Sequence, residues 1–140
     1  MKNKKEFLTV AISVFLFSLF LVLLAEYIHF CNISEVFSLV TRKPGVILFS
    51  AMIIFFTTMS AVWLTSSMKI GPILVGVFVF ILAVVEFYKF DVSGSHLAFA
   101  DILFASDFEK ITGFAMIRPE AHLFKAAAAF VLAIVGLSFV

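Results

Sequence analysis

The sequence predicts an all-α, polytopic membrane protein: a bundle of four transmembrane helices, with an external interfacial amphipathic helical segment between the third and fourth. The composition is the first reason, because 64% of the 140 residues are hydrophobic and 14% are charged, whereas soluble domains average about 45–50% and about 25%. The second is the presence of long apolar runs. The third is the clustering of five of the nine acidic residues between residues 86 and 114.

The apolar runs place the four spans at about residues 7–30, 46–67, 73–90 and 119–140. Each is long enough to cross a bilayer, which takes about 20 predominantly apolar residues. The whole chain, 1–140, is therefore interpreted as one membrane domain. The last run reaches the end of the sequence without a flanking charge. A final span normally has an interfacial anchor beyond it, so we expect the chain to be a fragment of a longer protein.

The connections between the first three spans differ in length. Residues 31–43 form a polar connection, and Pro44 fits the first position of the next helix. Residues 66–72 are so few that the second and third spans should form an antiparallel hairpin. Thr57, Ala61 and Thr65 recur at every fourth position of the second span, a small-residue stripe that favours close approach of another helix.

The interfacial segment covers residues 91–118. It begins with a turn around Gly94, and its later apolar residues have helical spacing. Ser106 and Glu109 match a capping box. We therefore expect two short helices, at about 99–105 and 107–114, lying in the membrane interface. The segment is either a brace or docking face for something outside, or a connector that buries its apolar face in lipid.

Positive charges give the orientation. Lysines precede the first span, and the first span usually dominates topology. We expect a plasma-membrane protein with a cytoplasmic N-terminus, which places residues 86–118 outside.

Few motifs for chemistry occur. The net charge of +1 provides no basic patch for nucleic acid, and no HExxH, GxSxG, Walker or GxGxxG motif is present. The lone Cys31 is expected to be a small apolar residue near a helix end. Three histidines lack metal-site spacing: His29, His96 and His122. Three acids could attract a cation: Asp101, Asp107 and Glu109. Helix capping explains Asp101 and Glu109 more simply. No catalytic, cofactor or metal site is predicted.

Glu26, Glu86 and Lys89 are the most informative ionisable residues. Carboxylates near the membrane are costly unless they are paired or hydrated, and Lys89 follows Glu86 by three residues, on the same helix face. One interpretation is a polar cluster at the outer end of the bundle, joined by Arg42 or Arg118, that holds the segment down or meets a lipid headgroup. The other is simple solvation of each group at the interface.

A family resemblance rests on Tyr88-Lys89-Phe90, Gly94, Leu97 and Asp101-Ile102-Leu103. In these residues the chain resembles the membrane domain of the lipoteichoic acid synthase family, which belongs to the sulfatase-like phosphoglycerol transferases. Glu26 and Pro44 also occupy positions where that family has similar features. Glu86, Ser93 and His96 depart from its usual Asn, Arg and Pro.

The resemblance implies five spans followed by a large external domain that uses a Thr nucleophile and a divalent metal. That domain moves glycerol phosphate from phosphatidylglycerol to a growing cell-wall polymer. No residue here matches the nucleophile or the metal ligands, so the chain would be the anchoring part and inactive alone, without a cofactor of its own. The expected partners are the lipid bilayer, phosphatidylglycerol headgroups, other helices or a second copy.

Two alternatives remain. One is a small stand-alone membrane protein that serves as an accessory subunit of a transporter or membrane enzyme. The other is a transporter fragment, although the sequence has no inverted repeat.

Overall fold

The computed structural model describes residues 4–94, 96 and 120–137, and every regular element within them is an α-helix. The helices in chain order are α1 (Lys4–Phe30), α2 (Ile33–Arg42), α3 (Pro44–Thr65), α4 (Ile70–Ser93) and α5 (Ala121–Leu137). The all-α prediction is confirmed for this part of the chain.

Three of the helices are long and apolar enough to cross a membrane: Phe7–Phe30, Pro44–Thr65 and Ile70–Asp91. They correspond to the first three predicted spans. The helix α5 is also apolar, but its 17 described residues are fewer than the other three have. The fourth span, expected at 119–140, therefore stays a prediction.

The centre of the bundle is α1, which packs against α2, α3, α4 and α5. Its buried residues Phe17, Leu21, Leu24 and Ile28 recur at spacings of four and three, so they form one stripe along the helix. The stripe lies in one core cluster with Phe87 of α4 and with Ala126 and Phe130 of α5. On another side, Val22 packs with Ile47 and Ala51 of α3.

The expected hairpin between the second and third spans joins α3 to α4. Ser66 ends α3 in the left-handed region, at φ 49°, and α4 begins at Ile70, three residues before the predicted start. A Cβ atom added at Gly71 would lie 2.6 Å from the backbone nitrogen of Val62. The two helices therefore approach closely at Gly71. In the predicted stripe, Thr57 is exposed, whereas Ala61 and Thr65 are partly buried.

The predicted polar connection, residues 31–43, contains the amphipathic helix α2 (Ile33–Arg42). Asn32 caps it, because its side-chain oxygen accepts a hydrogen bond from Ser34 N at 3.0 Å. Val36 is buried against the bundle, whereas Ile33 and Phe37 are exposed. No helix is predicted here from the sequence because of the polar residues, although Ile33, Val36, Phe37 and Val40 recur with helical spacing.

Buried polar groups within the described helices bond to their own backbone. Ser18 and Thr58 are fully buried, and their hydroxyls donate to Val14 O at 2.8 Å and to Ile54 O at 2.7 Å. Such bonds to the carbonyl one turn earlier satisfy a hydroxyl without a partner helix or water. These buried hydroxyls therefore need no hydrogen-bond partner from the surroundings, as a helix in the hydrocarbon of a bilayer requires.

The ends of α1 and α4 meet the beginnings of α3 and α5 at one end of the bundle, which we call the polar end. Among the described residues it comprises 26–31, 43–46, 86–94, 96 and 120–122. The predicted helices at 99–105 and 107–114, and the Ser106–Glu109 capping box, lie outside the described residues.

Candidate functional site at the polar end

A cavity of about 640 Å³ opens at the polar end. Its polar lining residues are Glu26, His29, Lys43, Glu86 and His96. Its remaining lining is apolar: Ala25, Phe30, Leu39, Val46, Val79, Leu82 and Ala83. The cavity thus combines an apolar wall with charged groups of both signs, as expected where a bundle meets the membrane interface.

His96 is held against α4 by two contacts. Its Nδ1 lies 3.1 Å from Glu86 Oε1, and its backbone carbonyl accepts a hydrogen bond from Lys89 Nζ at 3.0 Å. Glu86 and Lys89 are one turn apart on the same helix face, which is why both reach one residue. The predicted polar pair therefore bonds to a third residue that follows α4.

The path of the chain after α4 makes these contacts possible. Gly94 adopts φ 65°, in the left-handed region, and its N–H donates to Phe90 O at 2.8 Å. This is the αL ending that glycine favours, because it has no Cβ to clash there. The helix stops and the chain turns, so that His96 returns toward Glu86 and Lys89.

Aromatic contacts connect His96 to α1. The His29 ring lies 5.6 Å from the His96 ring and 5.1 Å from the Phe90 ring, measured between centroids. Phe90 and His96 are themselves 5.1 Å apart. Ring packing therefore joins the C-terminal ends of α1 and α4, and hydrogen bonds fasten His96 to α4.

The structure brings the three predicted cluster residues to one end of the bundle. Glu26 and Glu86 line the cavity, and Lys89 binds His96. Arg42, a suggested additional member, is exposed at the end of α2, and the neighbouring Lys43 lines the cavity instead. Of the family-like motif, Tyr88, Lys89, Phe90 and Gly94 surround this site, whereas two other positions lie outside the described residues: Leu97 and Asp101.

A second cluster lies nearby and has no counterpart in the predictions. Cys31 Sγ is 3.4 Å from His122 Nε2, and His122 Nδ1 is 3.2 Å from Glu120 Oε2. The His122 side chain is 10% exposed and packs edge-on against Phe87, at 4.9 Å between ring centroids. Burial raises the pKa of the Cys31 thiol, and the negative charges of Glu120 and Asp91 raise it further.

Sequence reasoning missed this cluster because Cys31 and His122 are 91 residues apart and no motif links them. The expected small apolar cysteine is an exposed thiol beside an imidazole. The sequence offered one indication: Cys31 directly follows one apolar run, and His122 lies at the start of another.

No family model, curated protein or solved structure matches this chain. Arguments about its function therefore rest on its own residues. The polar end brings together charged and aromatic groups around a cavity, with the Cys31–His122–Glu120 cluster beside it.

Proposed function

We propose that this chain is the membrane-anchoring domain of a lipoteichoic acid synthase-like protein, and that it orients an external phosphoglycerol transferase. The N-terminus would be cytoplasmic and the polar end would face outside. The chain itself would supply no catalytic residue to the transfer of glycerol phosphate.

The observation that carries the proposal is the attachment of His96 to Glu86 and Lys89. Lys89 belongs to the family-like Tyr-Lys-Phe and Gly94 is the family-like glycine, whereas Glu86 and His96 are positions at which the chain departs from the family. An anchor that orients an external domain needs a fixed path for the chain that leaves the membrane. The αL turn at Gly94 and the two contacts to His96 provide such a path on the cavity side of α4.

The three long apolar helices support the anchoring part of the proposal. The cavity supports a contact with lipid, because Lys43 and two histidines line it beside apolar residues. A phosphatidylglycerol headgroup would place its phosphate near Lys43 and its acyl chains along the apolar wall.

The first test is the reading frame downstream of Val140. The proposal expects a fifth apolar span and a large soluble domain with a threonine nucleophile and metal ligands. A stop codon directly after Val140 would contradict the proposal.

The second test changes the attachment in the complete protein. Lys89→Ala removes the donor to the His96 carbonyl, so we expect normal membrane insertion but less glycerol phosphate polymer in cells that depend on this protein. Lys125→Ala is the matched control, since Lys125 is an exposed lysine on α5. Equal polymer synthesis by both variants would contradict an orienting role for the attachment.

A stand-alone accessory subunit is the second candidate. The observation in its favour is the exposure of Ile33 and Phe37 on α2, at 63% and 66%. They provide an apolar surface at the polar end that a partner's helix could cover. A stop codon after Val140, together with co-purification of one membrane protein that is lost on Phe37→Ser, would favour this candidate.

A further inference from the structure

The geometry points to a binding site for a divalent transition-metal ion of the Zn²⁺ class, formed by Cys31, Glu120 and His122. The inference is independent of the proposed function, because none of the three residues belongs to the His96 attachment. It concerns the junction between the end of α1 and the beginning of α5.

The three side chains bring ligand atoms close enough together to share one ion. One ligand atom from each residue lies within 4.8 Å of the others. In a tetrahedral zinc site, bond lengths of about 2.3 Å to sulfur and about 2.0 Å to nitrogen or oxygen place neighbouring ligand atoms about 3.3–3.6 Å apart. The 3.4 Å contact from Cys31 Sγ to His122 Nε2 is close to the sulfur–nitrogen value, whereas the 3.2 Å contact of Glu120 Oε2 is made with the other ring nitrogen, Nδ1.

Entry of the ion requires only side-chain rotation. His122 is packed against Phe87 and has little exposure, so it is the fixed ligand. Cys31 and Glu120 are exposed and can adjust. An imidazole binds a metal through one nitrogen, so one of its two present contacts opens as the ion enters, and water takes the fourth position.

The chemistry of the three ligands indicates which metal ion the site would bind. Thiolate and imidazole favour Zn²⁺ and similar borderline-soft ions, whereas Ca²⁺ and Mg²⁺ prefer oxygen ligands throughout. The carboxylates of Glu120 and Asp91 both act electrostatically on Cys31, so the site has a negative potential that attracts a cation.

The backbone also presents the thiol toward α5. Cys31 has φ 57°, in a region that residues with a side chain rarely adopt. Its N–H donates to Tyr27 O at 2.9 Å, so this conformation ends α1. An ion bound here would link residues 31 and 122 and hold α5 against α1.

Co²⁺ titration of the purified chain in detergent micelles tests the site, because a thiolate bound to Co²⁺ gives a charge-transfer band in the near ultraviolet. We expect a band that saturates at one Co²⁺ per chain and disappears when Zn²⁺ is added. Zn²⁺ should also slow alkylation of Cys31 at least tenfold, a readout that needs no variant. Absence of the band, or alkylation unchanged by Zn²⁺, would overturn the site.

Variants identify the ligands. Cys31→Ser should abolish the band, and His122→Gln and Glu120→Gln should each weaken Co²⁺ binding at least tenfold. Glu35→Gln is the control, an exposed acid in the first turn of α2 that should leave binding unchanged. Wild-type affinity for Co²⁺ in both His122→Gln and Glu120→Gln would mean that the ion binds only the exposed thiol, and it would overturn the inference.

Discussion

Of the described glycines, Gly71 is the one at which an added Cβ would meet the nearest atoms, and these belong to α3. The nearest atoms to a Cβ at this position belong to the backbone of Val62, at 2.6 and 2.7 Å. Backbone atoms cannot rotate away as a flexible side chain can. The helices would therefore have to separate, which loses the van der Waals contacts that hold membrane helices together.

Gly71→Ala should accordingly destabilise the bundle by about 1–3 kcal/mol, the usual cost of overpacking. The measurement is unfolding of the chain in mixed micelles with increasing denaturing detergent, followed by circular dichroism. Gly45→Ala is the matched control, because nothing lies within 4 Å of a Cβ there. An equal loss of stability in both variants would mean that the α3–α4 approach is not tight at Gly71.

The Cys31 thiol has a pKa above its ordinary value, with burial the main cause and Glu120 and Asp91 contributing. A raised pKa keeps the thiol protonated to higher pH, so alkylation by iodoacetamide should reach half its maximal rate at a higher pH than for a free cysteine. The chain has one cysteine, so the reaction reports this site alone.

Glu120→Gln removes one of the charges that raise this pKa, so the alkylation profile should move to lower pH. The measurement is made with chelator present, to keep metal ions from the thiol. Glu35→Gln should leave the profile in place. A shift to higher pH in Glu120→Gln would show that the carboxylate does not act on the thiol as described.

Among the elements, α1 is the one that packs against all four other described helices, and it has both a buried stripe and an exposed face along one apolar span. Ile28 is fully buried, whereas Ile12 is 51% exposed. Hydropathy alone cannot distinguish them, since both belong to one apolar span. The burial pattern follows from packing against α3, α4 and α5.

Ile28→Ala should cost about 2–5 kcal/mol of stability, because it removes buried methyl groups and leaves a cavity. Ile12→Ala makes the same chemical change on the exposed face and should cost much less. The comparison uses the same denaturing-detergent titration for both variants. If the two costs were equal, α1 would not be the centre of the bundle.

Within the molecule as a whole, the sequence was most informative where the signal is local. Apolar runs located the first three spans, and Pro44 marked the start of α3. The short connection at 66–72 correctly indicated the α3–α4 hairpin. Length and hydropathy determine these features without reference to the rest of the chain.

The contacts between distant residues could not be predicted in this way. The pairing of Cys31 with His122 depends on how α1 and α5 pack, and the attachment of His96 depends on the αL turn at Gly94. The helix α2 was missed because its polar residues suggested a connection, although Val36 packs on the bundle. Glu26, Glu86 and Lys89 lie at one end of the bundle together with His29 and His96, two histidines that sequence reasoning did not place in the cluster.

The orientation of the whole bundle is the remaining prediction. Lysines before the first span favour a cytoplasmic N-terminus, which would place α2 outside and the Ser66 turn inside. Single cysteines at exposed Ser34 and Ser66 distinguish the two orientations. Each is introduced in a Cys31→Ser background, so that the native thiol does not contribute.

With a membrane-impermeant maleimide on intact cells, we expect Ser34→Cys to be labelled and Ser66→Cys to be protected. Both should be labelled after the membrane is permeabilised, which controls for reactivity. The opposite labelling pattern on intact cells would mean that the N-terminus lies outside and that the predicted orientation is wrong. It would also place the polar end, with its cavity and both side-chain clusters, in the cytoplasm, where an external transferase could not be attached to it.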